Sequence, residues 1–252
     1  MDNTRRFSNR VDDYVKYRPG YPAAIITFLE DKYGLTREML IADIGAGTGI
    51  SSELFLQQGY RVVAVEPNKE MREKSVELLG HYEGFIVVDG TAEHTGLEDN
   101  SVDMILSGQA FHWFDQASAR AEFNRIAGDK KIVALLWNER LTNTDFEKEY
   151  DAFIVQHGKD YVQVDHRNIS EQQIATFFSP AAIELTVFAN EQVFDREGLQ
   201  GRLLSSSYMP AKDEEGYATM IDGLDVLFNK HQQRGKITIH YATKLFVGRL
   251  AG

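Results

Sequence analysis

The run Leu40-Ile41-Ala42-Asp43-Ile44-Gly45-Ala46-Gly47-Thr48-Gly49 constrains this chain more than any other segment. An apolar strand feeds a turn with three alternate glycines, and Ser51-Ser52-Glu53-Leu54-Phe55-Leu56 continues as an amphipathic helix. Glycine supplies the positive φ such a turn needs and leaves room for a ligand against the main chain. Glu66 closes the next apolar strand, Arg61-Val62-Val63-Ala64-Val65, where a carboxylate can accept both hydroxyls of a ribose. Strand, glycine turn, helix, strand and acid together describe a nucleoside-binding α/β domain.

The flanking elements keep the same rhythm. Periodicity and breakers predict helices over Asn9–Tyr17 and Ala23–Tyr33, with Gly34 as the cap of the second. Strands Met39–Ile44, Arg61–Glu66, Tyr82–Asp89, Val102–Ser107 and Lys131–Trp137 alternate with helices Ile50–Gln58, Lys69–Leu79 and Asp115–Ile126. Five short apolar strands separated by helical patterns predict an α/β fold with a doubly wound parallel sheet. After Trp137 the rhythm changes. Helices are expected at Asn143–Gly158, within Gln163–Phe178, and at Asp195–Ser206 and Asp213–Arg234. Ile183–Phe194 and Ile237–Leu250 read as two more strands. No internal repeat or low-complexity tract interrupts the chain.

The loop departs from the dinucleotide pattern, G-x-G-x-x-G/A, because Ile50 stands where its last small residue belongs. Its own pattern, Asp-x-Gly-x-Gly-x-Gly over 43–49, resembles the first motif of class I S-adenosylmethionine-dependent methyltransferases. An acid beside the loop repels a pyrophosphate but suits the ammonium of a methionine moiety, directly or through water. The segment Gln109-Ala110-Phe111-His112-Trp113-Phe114 narrows the likeness to small-molecule enzymes related to the trans-aconitate carboxyl methyltransferases. Tyr14-Val15-Lys16-Tyr17-Arg18-Pro19-Gly20-Tyr21-Pro22 resembles the entry segment of the same group, which folds over the cofactor. The likeness covers most of residues 7–137 and the terminal 241–250, and is thin across 139–234.

What the resemblance implies is a seven-stranded Rossmann-like sheet with the last strand antiparallel, and a helical cap inserted after strand 5. Residues 1–34 would cover the cofactor, 35–138 would bind it, 139–234 would form the cap around strand 6, and 235–252 the final strand, all in one domain. Ligands of an open parallel sheet sit at the carboxyl ends of its strands. The first strand end offers Asp43, Gly45, Ala46 and Gly47 for the amino-acid end of S-adenosylmethionine, and the second offers Glu66 and Pro67 for the ribose. The third offers Asp89, Gly90, Thr91 and Ala92 for the adenine, and the fourth Ser107, with Tyr14 and Arg18 arriving from the N-terminal segment.

His112 and Trp113 would face the transfer site. A hydroxyl or protonated amine must lose a proton near attack, and an imidazole suits that work, whereas a carboxylate needs no base and His112 would only position it. Packing of His112 as an ordinary loop side chain is the competing reading. The aromatic rings of 111, 113 and 114 likewise divide between core packing and lining a dry methyl pocket. Ser205-Ser206-Ser207-Tyr208-Met209-Pro210 reads equally as a polar loop closing on substrate or as a helix end with a proline stop.

Composition limits the alternatives. Net charge is −11, which weighs against tight binding to nucleic acid or anionic membrane, although Arg5, Arg6, Arg10, Lys16 and Arg18 gather near the N-terminus. Absence of cysteine excludes disulfides and thiolate chemistry, and the scattered histidines carry no metal-ligand spacing. With no apolar run long enough to span a bilayer and no signal-like leader, a cytoplasmic monomer or homodimer acting on a small molecule is expected. Base amino-methylation is disfavoured by Ser107-Gly108-Gln109-Ala110 where Asp/Asn-Pro-Pro-Tyr is typical. A non-catalytic sensor of S-adenosylmethionine or S-adenosylhomocysteine stays open. A nicotinamide oxidoreductase is disfavoured by Ile50 and a missing Tyr-x-x-x-Lys pair.

Overall fold

Strand β4 (Val102–Gly108) shows why the sheet is buried on both faces: Ile105 packs into one apolar cluster while Met104 and Leu106 pack into another. Successive side chains of a strand point to opposite faces, so a central strand with apolar residues throughout demands a layer on each side. The computed structural model, which describes residues 15–159 and 170–251, supplies both layers.

Its sheet contains β1 (Leu40–Ile44), β2 (Arg61–Val65), β3 (Phe85–Val88), β4, β5 (Ala127–Arg140), β6 (Ile183–Phe194) and β7 (Ile237–Arg249) in the order 3-2-1-4-5-7-6. The first five are parallel; β7 runs antiparallel to β5 and to β6. Helices α1 (Ala24–Tyr33), α2 (Ile50–Leu56), α3 (Lys69–Leu79) and α4 (Gln116–Ile126) occur in the first half. Gly34 caps α1 at φ 65°, as expected, and Asn68 and Asp115 cap α3 and α4 by accepting from Met71 and Ser118 amides. All-parallel neighbours place the carboxyl ends of β1 to β5 on one edge, and the strand order reverses between β1 and β4.

Two strands differ from expectation. β3 begins at Phe85 because Tyr82 and Phe85 amides bond back to Leu79 and Tyr82 carbonyls, closing a turn. β5 begins at Ala127 and runs on to Arg140. Polar Asp129 and Lys130 disguise its start. Its far end is extended by β7, which pairs Asn138 with Thr243 and Arg140 with Tyr241.

The second half adds α5 (Asp145–His157), α6 (Glu171–Phe178), α7 (Arg196–Leu204) and α8 (Tyr217–His231). Here the expected single cap divides. Ile174, Phe177 and Phe178 of α6 join Phe111 and Phe123 in the core of the sheet, with Phe177 edge-on to Phe111 at 4.8 Å. Fully burying side chains of this size is worth about 1.5–3 kcal/mol each, which draws α6 onto the sheet. Helices α5, α7 and α8 instead share a third cluster with Tyr17 and the start of β7. Residues 9–14 of the expected first helix lie outside the described residues; 15–17 are helical. No helix among the described residues is long and apolar enough to cross a membrane.

Candidate active site

The three loop glycines all take positive φ (69°, 58° and 90° at Gly45, Gly47 and Gly49), yet each for a separate reason. A Cβ on Gly45 would stand 2.6 Å from the Cβ of Ala110, and one on Gly49 would collide with Leu79. Those two glycines permit close packing between the turn and its neighbours. A Cβ on Gly47 would meet nothing within 4 Å. Gly47 therefore presents bare backbone to open space at the carboxyl edge of the sheet. Ala46, in the same turn, is buried.

Two buried acids flank this opening. Glu66 accepts from the Gly47 amide at 2.9 Å with Oε2 and from the Asn68 amide at 2.9 Å with Oε1. Burial raises its pKa despite these bonds. Each oxygen keeps acceptor capacity beyond its one amide. Asp43 is wholly buried, and its Oδ2 accepts from the hydroxyls of Ser51 and Ser52, both at 2.7 Å. Burial pushes its pKa up to about 6, against the serine bonds that pull it down. Asp43 Oδ1 has no partner.

The other strand ends are ordered differently. Pro67 lies in the turn between Glu66 and the α3 cap. Asp89 is exposed and pairs with Arg72 at 2.8 Å, while the same guanidinium donates to the Glu66 carbonyl at 2.8 Å. Gly90 is hemmed in by the Thr95 backbone, Thr91 closes a turn with His94, and Ala92 is buried in the core. Ser107 is buried with its hydroxyl unpartnered. His112 and Trp113 occupy a 3₁₀ turn with their rings 4.5 Å apart. Burial lowers the His112 pKa to about 4, and its Nδ1 has no partner. Phe111 is core, edge-on to Trp137 and Phe177, which decides its packing question; Trp113 is exposed.

Arg18 donates to the Ser205 carbonyl at 3.2 Å and so ties the entry segment to the end of α7. Tyr14, with Arg5, Arg6 and Arg10, lies outside the described residues. Ser205 ends α7 as its cap, and Ser206, Met209 and Pro210 are buried behind it.

Unpartnered polar atoms are rare inside proteins. Here Asp43 Oδ1, Thr48 Oγ1, Ser107 Oγ, Gln109 Oε1 and His112 Nδ1 all belong to the ends of β1 and β4 or the segments that follow them. Together with the open face of Gly47, they suit a polar ligand that offers donors and acceptors across this edge.

Residues 42–135 match the family described as methyltransferase domain. The chain is 34% identical over 157 residues to an uncharacterized methyltransferase of Mycobacterium tuberculosis (strain H37Rv). That alignment covers 62% of this chain and 62% of the relative's own length. An uncharacterized methyltransferase of Schizosaccharomyces pombe is 31% identical over 137 residues, 54% of this chain and 53% of that one. In fold, the chain is similar to a structure from Anaeromyxobacter dehalogenans assigned provisionally as a type II methyltransferase. The TM-score is 0.70 at 21% identity, covering 94% of this chain and 100% of the other. Residues 42–135 are thus similar to a methyltransferase domain, and the chain spans less than two thirds of the length of the curated relatives it matches.

The site also relies on residues to which the sequence reading assigned no role of their own. Gln109 sits at φ 59°, unusual outside glycine, with its amide bonded to the Leu136 carbonyl and its Nε2 to that of Asn138. Asn138 donates to the Pro19 and Gly20 carbonyls at 3.3 and 3.1 Å and accepts from Thr243 and Asn190 at 2.5 and 3.1 Å. It pins the entry segment to β5, β6 and β7. A polar residue closing the apolar run Ile132–Trp137 was the available signal.

Glu122 on α4 anchors the loop after β3. It accepts from the Thr95 amide and hydroxyl at 2.8 and 2.6 Å and pairs with Arg125 at 2.7 Å. Arg125 first, then Thr95, hold its pKa down to about 2 against the cost of burial. Glu122→Ala should cost about 2–3 kcal/mol, because it strands donors that now meet a charged acceptor. Since the folded pKa is depressed, the wild-type advantage is complete above the unfolded value of 4.5 and fades as pH falls toward about 2. Chemical denaturation of both proteins at pH 7 and pH 3 checks this; an equal deficit at both would contradict it.

Proposed function

We propose that this chain transfers a methyl group from S-adenosylmethionine to a small-molecule acceptor. The open backbone face of Gly47, set between buried Glu66 and the unpartnered oxygen of Asp43, carries the reading. When bound, S-adenosylmethionine supplies an electrophilic methyl on its sulfonium. The chain supplies position. Asp43 accepts from the ligand ammonium, the turn 45–47 lies against the amino-acid end, and Glu66 with Pro67 takes the ribose. Asp89 to Ala92 border the adenine, Ser107 closes the floor, and Tyr14 and Arg18 cover the ligand. Holding the reacting atoms in line and excluding water accounts for most of the rate enhancement in a transfer of this kind.

His112 is uncharged at neutral pH, because its pKa lies near 4. It is thus in the form that can accept a proton from a hydroxyl or ammonium acceptor, although the same burial makes it a weak base; for a carboxylate it only orients. His112→Ala should lower turnover by about 10²-fold or more if it is a base, while leaving S-adenosylhomocysteine affinity intact. Single-turnover kinetics on an acceptor found among small carboxylic acids, amines and phenols tests this. Unchanged turnover removes His112 from the mechanism.

The chain is read as one catalytic unit, with 1–34 covering the ligand, 35–138 binding it, and 139–234 framing the acceptor before the final strand at 235–252. Its charge of −11 favours a small acceptor over nucleic acid and suits a cytoplasmic monomer or homodimer.

A further inference from the structure

Arg202, on α7, is buried to 7% exposure, and among the described residues no carboxylate pairs with it. Its hydrogen bonds are long: Nε reaches the Tyr241 hydroxyl at 3.3 Å, and Nη1 reaches the Ser205 and Ser206 hydroxyls at 3.4 Å each. The ionisable groups that act on it are the phenols of Tyr241, Tyr150 and Tyr208. A buried cation normally has a counter-charge, because desolvation costs several kcal/mol that hydroxyl dipoles repay poorly. The neighbouring guanidinium shows the contrast. Arg140 lies over the Tyr150 ring at 5.4 Å and is neutralised by Asp151 at 2.5 Å.

A relay of contacts links Arg202, through Tyr241, to the edge where transfer would occur. Tyr241 pairs with Arg140 just past the carboxyl end of the β5 core, two residues from the Thr243–Asn138 pair. Asn138 in turn receives Gln109, three residues before His112. Gly201 lets the Tyr17 ring lie directly on α7, so the entry segment covers the same helix.

We propose that Arg202 is the anchor for a carboxylate of the methyl acceptor. This rests on the methyl-transfer reading above. One uncompensated guanidinium matches one carboxylate, whose two oxygens fit its planar fork. The acceptor class is then a small organic acid. The carboxylate of the methionine moiety has the same chemistry, so the test must separate the two sources.

The test is calorimetric titration of the full chain, first with S-adenosylhomocysteine and then, once saturated, with succinate, glutarate and uncharged dimethyl succinate. Wild type should bind a diacid at least about tenfold more tightly than the diester, and Arg202→Met should lose that preference with S-adenosylhomocysteine affinity unchanged. Arg202→Lys, which keeps the charge but not the fork, should fall between them. The thermal midpoint of Arg202→Met without ligand should equal or exceed that of wild type, as expected when an uncompensated buried cation becomes apolar. A large fall in that midpoint would make the arginine structural and overturn the proposal. So would diacid binding indifferent to Arg202, or no diacid binding to wild type. Loss of S-adenosylhomocysteine affinity in Arg202→Met would assign the guanidinium to the cofactor instead. Failure of wild type to bind S-adenosylhomocysteine would count against the methyl-transfer reading itself.

Discussion

Gly47→Val is expected to abolish S-adenosylhomocysteine binding, by about 10²-fold or more, in a chain that still folds. The left-handed conformation at φ 58° costs a non-glycine residue roughly 1–2 kcal/mol, so a modest loss of stability accompanies the change. The larger effect is steric. A Cβ at Gly47 meets no protein atom within 4 Å, so the isopropyl group would stand in the space proposed for the ligand. The neighbouring glycines supply the control. Gly45→Ala drives a methyl to 2.6 Å from Ala110, and Gly49→Ala drives one into Leu79, so both should behave chiefly as folding lesions. Calorimetry and thermal melts on the three variants separate the classes. Normal binding by folded Gly47→Val would move the ligand off this turn.

Asp43→Asn should produce two opposite changes. The carboxylate is wholly buried and its pKa is raised from 3.8 to about 6, so at neutral pH its charge costs the ligand-free fold roughly 3 kcal/mol. A raised acid pKa means that this deficit is absent below 3.8 and complete above about 6. Asparagine keeps an acceptor for Ser51 and Ser52 without the charge. The variant should therefore match or exceed wild-type stability at pH 7.5 and lose that advantage by pH 4. Affinity should move the other way. An ammonium beside Asp43 favours the ionised form, so wild-type binding should weaken as pH falls through about 6, and Asp43→Asn should bind about tenfold or more weakly with little of that dependence. Denaturant melts and calorimetry from pH 4 to 8 measure both. A variant that is less stable yet binds normally would make Asp43 a clamp for the α2 serines alone.

The parallel core was legible because local rules agreed there. Leu40–Ile44 and Arg61–Val65 are short, apolar and bounded by glycine or proline turns, and Lys69–Leu79 has its Asn68 cap and a regular apolar stripe. Ile183–Phe194 was equally clear, because alternation along an edge strand is strong. Disagreement arose where tertiary pairing overrides local pattern. Asp129 and Lys130 look like loop but fall within β5, in the irregular stretch between the Val102–Ala127 and Met104–Ile132 pairs, and α6 looks like cap but carries three apolar side chains that the sheet buries.

At the site, the glycines, Asp43 and Glu66 stood out because backbone conformation and buried charge restrict which residues are tolerated. Asn138, Gln109 and Arg202 did not. Each draws its meaning from partners far along the chain: Pro19 and Thr243 for Asn138, the Leu136 and Asn138 carbonyls for Gln109, and Tyr241 for Arg202. An arginine on a helix ordinarily faces water, and nothing local marks this one as buried without a counter-charge.

Titration of the full chain with S-adenosylmethionine, S-adenosylhomocysteine and NADH, after removal of any copurified ligand, tests the central claim most directly. Binding of the two sulfur compounds with dissociation constants on the order of micromolar, with NADH silent, is the predicted result. Binding of NADH with both sulfur compounds silent would contradict it and return Glu66 to a dinucleotide role.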